Sequence, residues 1–247
     1  MKKRNIWFYP FILLGMLVVL ISSCKKADNS GSNAYNGKTN AVFNSSLIYS
    51  TMTDQDGNIY KTIKIGTQTW MAENLRTTKY NDGTAIPNVT DGKAWTALTT
   101  PAYSWYNNDA TVYEAIYGAL YNWYTVNTGK LSPTGWHIPN DDEWTTLITF
   151  LGDENVAGGK LKEIGTTHWI TPNTEADNRS GFTALPGGYR HIGGSFDYIG
   201  YSAAWWSSTA GNTDDAYTRF LGNNYNFVYS YTNNVGNGFS VRCVKDN

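Results

Sequence analysis

Histidine and cysteine are the side chains that most often carry catalysis or bind transition metals, and here they are far apart. The histidines are His137, His168 and His191, and the cysteines are Cys24 and Cys243. No His-x-x-x-His or Cys-x-x-Cys spacing supports a zinc or iron site, and no Gly-x-Ser-x-Gly turn supports a serine nucleophile. We therefore expect no metal, no cofactor and no enzymatic activity. A hydrolase or oxidase with dispersed catalytic residues is the less favoured alternative.

An acidic segment at 54–58, Asp-Gln-Asp-Gly-Asn, resembles the start of a calcium loop, with oxygen ligands at alternate positions and glycine at the bend. A complete calcium loop ends in a glutamate at its twelfth position. That position is Ile65, so the last ligand is missing. The favoured interpretation is a hairpin turn before a strand.

Aromatic rings among amide side chains are the remaining pattern that indicates binding. The chain has 9 Phe, 10 Trp and 18 Tyr, 15% of its residues, whereas charged residues make up only 16%. Rings that stack on sugar C–H faces beside amides that bind hydroxyls are typical of glycan sites. The predicted ligand-binding residues are Trp105, Tyr106, Arg190, Tyr198, Tyr201, Asn224 and Tyr225.

Two other interpretations of these rings stay open. Long loops rich in glycine and asparagine need aromatic anchors, so each ring alone is also explained by packing. Tyrosine and tryptophan are also common where proteins bind each other, so a structural component of an envelope complex is the alternative function. The net charge of −1 removes the electrostatic argument for nucleic acid, which requires a basic surface.

The beginning of the chain predicts a bacterial lipoprotein leader. A basic stretch at 2–4 precedes an apolar run over 6–21, as in secretory signal peptides. Residues 21–24, Ile-Ser-Ser-Cys, resemble a lipobox, in which the cysteine receives the lipid. We therefore expect Cys24 to be the acylated mature N-terminus and the membrane to be a partner through this lipid anchor. The residue after the lipobox cysteine is Lys25 and not the aspartate that retains some lipoproteins at the inner membrane. This favours the outer membrane, with the domain facing the periplasm or the cell surface.

Composition divides the chain into three segments. Residues 1–23 are the predicted signal peptide, and residues 24–46, rich in Asn, Ser, Gly and Lys, predict a flexible tether. A single domain is predicted over 47–246. After loss of Cys24 to acylation, Cys243 cannot form an intramolecular disulfide, so this domain depends on its core.

Hydrophobic periodicity predicts an α+β domain. A strand is expected over 59–65, where apolar residues alternate, and a helix over 113–124, where they recur at helical spacing. A second helix begins after Asn140, because Glu143 completes a capping box. The late strands are expected at 203–208, 216–221, 227–231 and 239–244. The expected core rings are Trp70, Trp123, Trp136, Trp144 and one of Trp205 and Trp206, since strand neighbours face opposite ways.

Several ordered blocks are similar to one known family. They include Ile65-Gly66-Thr67-Gln68-Thr69-Trp70-Met71-Ala72-Glu73-Asn74-Leu75, Gly135-Trp136-His137-Ile138-Pro139, Leu185-Pro186-Gly187-Gly188-Tyr189-Arg190 and Phe239-Ser240-Val241-Arg242-Cys243-Val244. Over residues 54–246 the chain resembles the Fibrobacter succinogenes major paralogous domain.

This resemblance implies a secreted or lipid-anchored bacterial module. It also implies a C-type-lectin-like α+β fold, with two helices beside twisted antiparallel sheets and terminal strands that meet. Lectin disulfides, the usual sugar-binding tripeptides and the cysteine pair of formylglycine-generating enzymes are absent from the sequence.

Overall fold

The computed structural model describes Met1 and residues 34–247. The predicted signal peptide, the lipobox and Cys24 therefore lie outside the described residues, apart from Met1. No helix among the described residues is long and apolar enough to cross a membrane.

Among the described residues, thirteen strands form three sheets in which every strand pair is antiparallel. They are β1 Ser50–Thr53, β2 Ile59–Ile65, β3 Gln68–Met71, β4 Tyr103–Ser104, β5 Leu120–Asn122, β6 Trp136–His137, β7 Gly187–Arg190, β8 Phe196–Ile199, β9 Ser202–Ala210, β10 Asp215–Gly222, β11 Tyr229–Asn234, β12 Gly238–Phe239 and β13 Val244–Lys245. The strand orders are β1-β2-β3-β13-β6, β11-β10-β9 and β4-β5-β12-β7-β8. The last strand joins the sheet of the first one, so the ends of the domain meet.

Five α-helices accompany the sheets in the described part of the chain. They are α1 Gly92–Thr96, α2 Ala110–Tyr117, α3 Trp123–Val126, α4 Asp141–Phe150 and α5 Glu154–Leu161. The predicted α+β class is thereby confirmed, and α1 and α5 are additions to the predicted helices. Helix α4 begins as predicted, because the Asn140 side chain accepts a hydrogen bond from the Glu143 amide and Glu143 binds the Asn140 amide.

The predicted helix over 113–124 is wrong in its second half. Helix α2 ends at Tyr117 because Gly118 adopts a φ of +71°. A Cβ atom at Gly118 would lie 2.7 Å from the Leu75 carbonyl oxygen, so only glycine allows this close approach. The chain then continues as β5 and the short helix α3.

Two hydrophobic cores lie on the two faces of β9 and β10. Trp206 and Phe220 belong to one core, and Trp205 and Leu221 belong to the other. Neighbouring strand residues face opposite ways, and both faces of this sheet are covered. Both tryptophans of the pair are therefore buried, whereas the sequence predicts one of them in the core.

The predicted flexible tether differs from the structure over its described residues, 34–46. The Asn36 side chain donates to the Gly57 carbonyl at 2.9 Å, and the Asn44 side chain donates to the Asn178 carbonyl at 3.0 Å. These side-chain bonds to distant loops attach the segment to the domain. Asparagine-rich composition alone does not distinguish a segment that packs on the domain from a flexible linker.

His137 lies between two carboxylates that join the chain terminus to α4. Its Nδ1 is 2.7 Å from Asp246 Oδ1, and its Nε2 is 2.6 Å from Glu143 Oε1. Burial disfavours the imidazolium, but the hydrogen bonds to Asp246 and Glu143 outweigh it and raise the pKa of His137. This arrangement gives His137 a structural role, since it links the end of the chain to α4.

The stability of the protein should therefore depend on pH through His137. The pKa of His137 is higher in the folded protein than its unfolded value of about 6.5, so protonated His137 stabilises the fold. This stabilisation is fully present below about pH 6.5 and is lost as the pH rises through the folded-state pKa. His137→Gln should lower the free energy of unfolding by up to about 1 kcal/mol at pH 5.5 and by less at pH 9. The loss is small because the His137 side chain is partly solvent-exposed. Urea unfolding of the full chain at both pH values measures this.

His191→Gln is the matched control, since His191 has no carboxylate partner among the described residues. An equal loss of unfolding free energy for His137→Gln at both pH values would show that protonation of His137 does not stabilise the fold.

Candidate functional site: a tyrosine groove

A groove of about 450 Å³ opens between the β7–β8 edge of one sheet and the β10–β11 hairpin of another. We call it the tyrosine groove. Its lining residues are Tyr189, Tyr198, Tyr201, Ser202, Phe220, Gly222, Asn223, Asn224, Tyr225, Tyr229 and Tyr231. The two sheets thus bring together rings that are up to 42 positions apart in the sequence.

The exposed tyrosines of the described chain converge on this groove. Tyr198 is 59% exposed, Tyr201 49%, Tyr229 46% and Tyr231 44%. Every other tyrosine in residues 34–247 is buried or half-buried. Single exposed rings are ordinary on protein surfaces, but a cluster of them marks an interaction site.

Stacked ring pairs form the two walls. On one side Tyr189 and Tyr198 stack with centroids 5.6 Å apart and an interplanar angle of 16°. On the other side Phe220 and Tyr231 stack at 5.1 Å and 15°. Because each exposed ring rests on a less exposed partner, the walls are held in place before any ligand binds.

A short turn, residues 222–225, closes one end of the groove. A Cβ atom at Gly222 would lie 2.4 Å from the Tyr225 ring, so this ring folds over a position that only glycine can occupy. The Tyr225 ring also stacks on Phe227 at 4.1 Å. The Asn224 side-chain amide has no hydrogen-bond partner among the described residues and is exposed, so its donors and acceptor are available to a ligand.

Tyr198 occupies a strained backbone position. Its φ is +63°, in the left-handed region that costs a bulky residue of order 1–3 kcal/mol. The Tyr201 amide donates to the Tyr198 carbonyl at 3.0 Å, which closes the turn and fixes the conformation. The hydrogen-bonded turn thus holds the most exposed ring of the groove at its rim despite this strain.

A buried lysine supports the closing turn from beneath. Lys162 is 0% exposed, and its ammonium group donates to the carbonyls of Thr174, Gly222 and Tyr225 at 2.9, 3.1 and 2.7 Å. Burial lowers the pKa of Lys162 to about 8. Three donors matched to three carbonyls fix the backbone of the turn that carries Asn224.

The groove itself is lined without any charged side chain. Burial raises the pKa of Tyr225 to about 12 and also raises the pKa values of Tyr189 and Tyr231. These hydroxyls therefore stay protonated at neutral pH and can both donate and accept hydrogen bonds. Such a lining fits a neutral, hydroxyl-rich ligand better than an ionic one.

Four of the seven predicted ligand-binding residues meet in this groove: Tyr198, Tyr201, Asn224 and Tyr225. Two of the others are core rings. Trp105 is 6% exposed and packs edge-on against Tyr103, and Tyr106 is 5% exposed and packs against Phe196. Both rings anchor loops, which is the alternative that the sequence leaves open.

Arg190, the remaining predicted ligand-binding residue, is also structural. It is 0% exposed, and its guanidinium group lies 4.2 Å from the Trp95 ring centroid. It donates to the backbone carbonyls of Val89, Thr90 and Gly194. Three of its five N–H groups are thus bound to carbonyls inside the protein, and Arg190 is not among the residues that line the groove.

Four groove rings, Tyr189, Phe220, Tyr229 and Tyr231, are not among the predicted ligand-binding residues. Tyr229 and Tyr231 are two positions apart in β11, so they face the same side of the strand. This alternation is the local signal that could have identified both residues. Nothing local identifies Tyr189, whose place in the groove depends on the approach of two sheets.

The acidic segment at 54–58 is a closed turn. Asp54 Oδ1 accepts from the amides of Asp56 and Asn58, and its Oδ2 accepts from the Tyr60 hydroxyl at 2.6 Å and from the Asn58 side chain. Both carboxylate oxygens are thereby occupied. Among the described residues no group of three His, Cys, Asp or Glu is placed to hold a metal ion.

The family of the chain follows from comparison with known families. Residues 63–245, more than half of the chain, match the Fibrobacter succinogenes major domain. The chain therefore belongs to this family, as its sequence blocks predict. Comparisons with curated proteins and with solved structures found no match.

Removing the Lys162 ammonium group should loosen the groove. Lys162→Met keeps the apolar stem but removes the donor that the three carbonyls share, and a buried group left unsatisfied, such as the Gly222 carbonyl, costs about 1–3 kcal/mol. We expect faster amide hydrogen exchange over residues 222–228 and a lower unfolding midpoint. Exchange measured by mass spectrometry on the full chain gives both the site and the extent of the change.

Lys160→Met is the matched control two positions earlier, in the last turn of α5, because Lys160 donates to the Leu151 carbonyl away from the groove. Equal exchange of residues 222–228 in the two variants would show that Lys162 does not support the turn.

Proposed function

We propose that this protein is a non-catalytic lipoprotein of the bacterial outer membrane that binds an uncharged glycan in the tyrosine groove. The observation that carries the proposal is the convergence of four exposed tyrosines and a free asparagine amide in one uncharged groove. A domain that only served as a scaffold would gain nothing from exposing these rings together.

Sugar chemistry matches the two kinds of group that line the groove. The C–H face of a pyranose is apolar and packs on a flat ring, and its hydroxyls pair with amides and tyrosine hydroxyls. The 450 Å³ groove is in the range of small-molecule sites. A short stretch of oligosaccharide is therefore the ligand we favour.

The proposed fold class is C-type-lectin-like. Its support is the meeting of β1 and β13 in one sheet, the antiparallel pairing and the two helices α2 and α4 beside the sheets. The proposed location is supported by the lipobox that ends at Cys24, with the domain facing the periplasm or the cell surface. The non-catalytic part of the proposal rests on the lack of any recognisable nucleophile or metal-binding pattern in the sequence.

Alanine substitution in the groove should weaken glycan binding without unfolding the protein. Tyr198→Ala and Tyr225→Ala each remove one stacking face, which should weaken binding at least tenfold, about 1.4 kcal/mol. A glycan array with the full chain in detergent, with and without calcium, identifies the ligand, and calorimetry then measures the affinity.

Phe150→Ala is the matched control, since Phe150 is a 62% exposed ring on α4 outside the groove. A blank array together with a protein crosslinked to the groove would favour the alternative, a structural component of an envelope complex. Binding that survives both tyrosine substitutions would place the glycan site elsewhere.

Lipid attachment is tested separately. Cells that express the full chain should incorporate a palmitate analogue into the wild-type protein, and Cys24→Ala should lose the label and leave the membrane fraction. Cys243→Ser is the control, because the Cys243 thiol is buried and burial raises its pKa, which keeps it unreactive. Unchanged labelling of Cys24→Ala would refute the anchor.

A further inference from the structure

Strand β11 is the outer strand of its sheet. It pairs with β10 along one edge, and no strand of the described chain pairs with its other edge. Four consecutive residues of β11, 229–232, are exposed. Backbone donors and acceptors on such an edge are available to another strand.

The other sheet edges in the described chain are shorter or protected. Strands β4 and β6 have two residues each, and β1 has four. Strand β8 carries the charged Asp197 and ends in the left-handed turn at Tyr198. The free side of β9 is bridged to Ser240, whose carbonyl accepts from the Trp206 amide.

Strand β11 lacks every device that normally blocks edge pairing. Residues 220–241 contain no Lys, Arg, Asp, Glu or Pro. Natural edge strands are usually protected by charges, proline or bulges, and the only register shift of this sheet lies between β9 and β10. Six residues without charge form the longest unprotected edge of the described domain.

We propose that β11 pairs with β11 of a second copy of this chain, antiparallel and centred on Ser230. This register places Tyr229 opposite Tyr231 of the partner subunit and Tyr231 opposite Tyr229 of the partner subunit. Aromatic cross-strand pairs of this kind stabilise antiparallel sheets. The absence of charge means that two identical edges meet without repulsion, which favours a second copy over a charged partner.

The pairing joins two three-stranded sheets into one of six strands. Antiparallel pairing centred on Ser230 relates the two copies by a twofold axis through that residue pair. Tyr229 and Tyr231 point to the groove side of β11, so this axis brings two tyrosine grooves next to each other. A membrane anchor, where present, raises the local concentration and favours even weak pairing. The proposal does not depend on what the groove binds.

A glutamate at the centre of the pair should separate the copies. Ser230→Glu places like charges opposite each other at the twofold axis, while within each chain the glutamate lies opposite Arg219, a favourable neighbour. Thr51→Glu is the matched control, because it adds the same charge to the exposed edge β1 opposite Lys61. Sedimentation of the full chain in detergent measures the dimer dissociation constant.

We expect a wild-type dimer, an unchanged dissociation constant for Thr51→Glu and at least a tenfold increase for Ser230→Glu. A monomeric wild-type protein at all concentrations, or equal dissociation constants for the two variants, would overturn the proposal.

A cysteine trap tests the register independently of any folding defect. Residues directly opposite in antiparallel strands have Cα atoms about 4.5–5.5 Å apart, which a disulfide can bridge. Under mild oxidation Ser230→Cys should form a covalent dimer, and Thr51→Cys should not. Failure of Ser230→Cys to crosslink would overturn the Ser230-centred pairing.

Discussion

Buried cations bonded to backbone carbonyls hold the loops of this domain. Lys162, Arg190 and Arg242 are each at most 1% exposed, and each donates to three backbone carbonyls. None of them forms an ion pair within the described chain, and each faces at least one aromatic ring. Burial lowers the pKa values of the three groups to about 8, 10 and 9, respectively. Carbonyl dipoles and ring faces thus replace the carboxylates that usually accompany a buried charge.

This arrangement explains how a domain with few charged residues carries long loops and still presents a defined groove. Loop carbonyls cannot all be satisfied by short strands, and an unsatisfied buried carbonyl is costly. One cation can satisfy several carbonyls at once and thereby joins segments far apart in the sequence, as Lys162 does for Thr174 and Tyr225. Because these cations point inward, the surface at the tyrosine groove stays neutral. Neutrality and exposed rings together favour a sugar over an ionic ligand.

Local signals in the sequence predict local structure well and the site only in part. The capping box at Asn140 and the alternation over 59–65 depend only on residues close in sequence. Helix α4 and strand β2 both form as these patterns predict. Gly118 breaks the predicted helix because the chain passes close to a distant loop, which no helical periodicity reveals. Trp105 and Tyr198 lie in sequence stretches that are similarly rich in aromatic and polar residues, yet one ring is buried and the other is exposed. Which loop aromatic faces the core depends on how the sheets pack, and composition carries no information on this.

The most direct test of the account concerns the hydrogen bonds of Lys162 themselves. Nuclear magnetic resonance of the isotopically labelled full chain can detect the side-chain ammonium group and the scalar couplings that pass through its hydrogen bonds. We predict a slowly exchanging Lys162 ammonium signal near neutral pH, coupled to the carbonyl carbons of Thr174, Gly222 and Tyr225. A rapidly exchanging signal without these couplings would show a solvated lysine and would contradict the view that a buried cation shapes the groove.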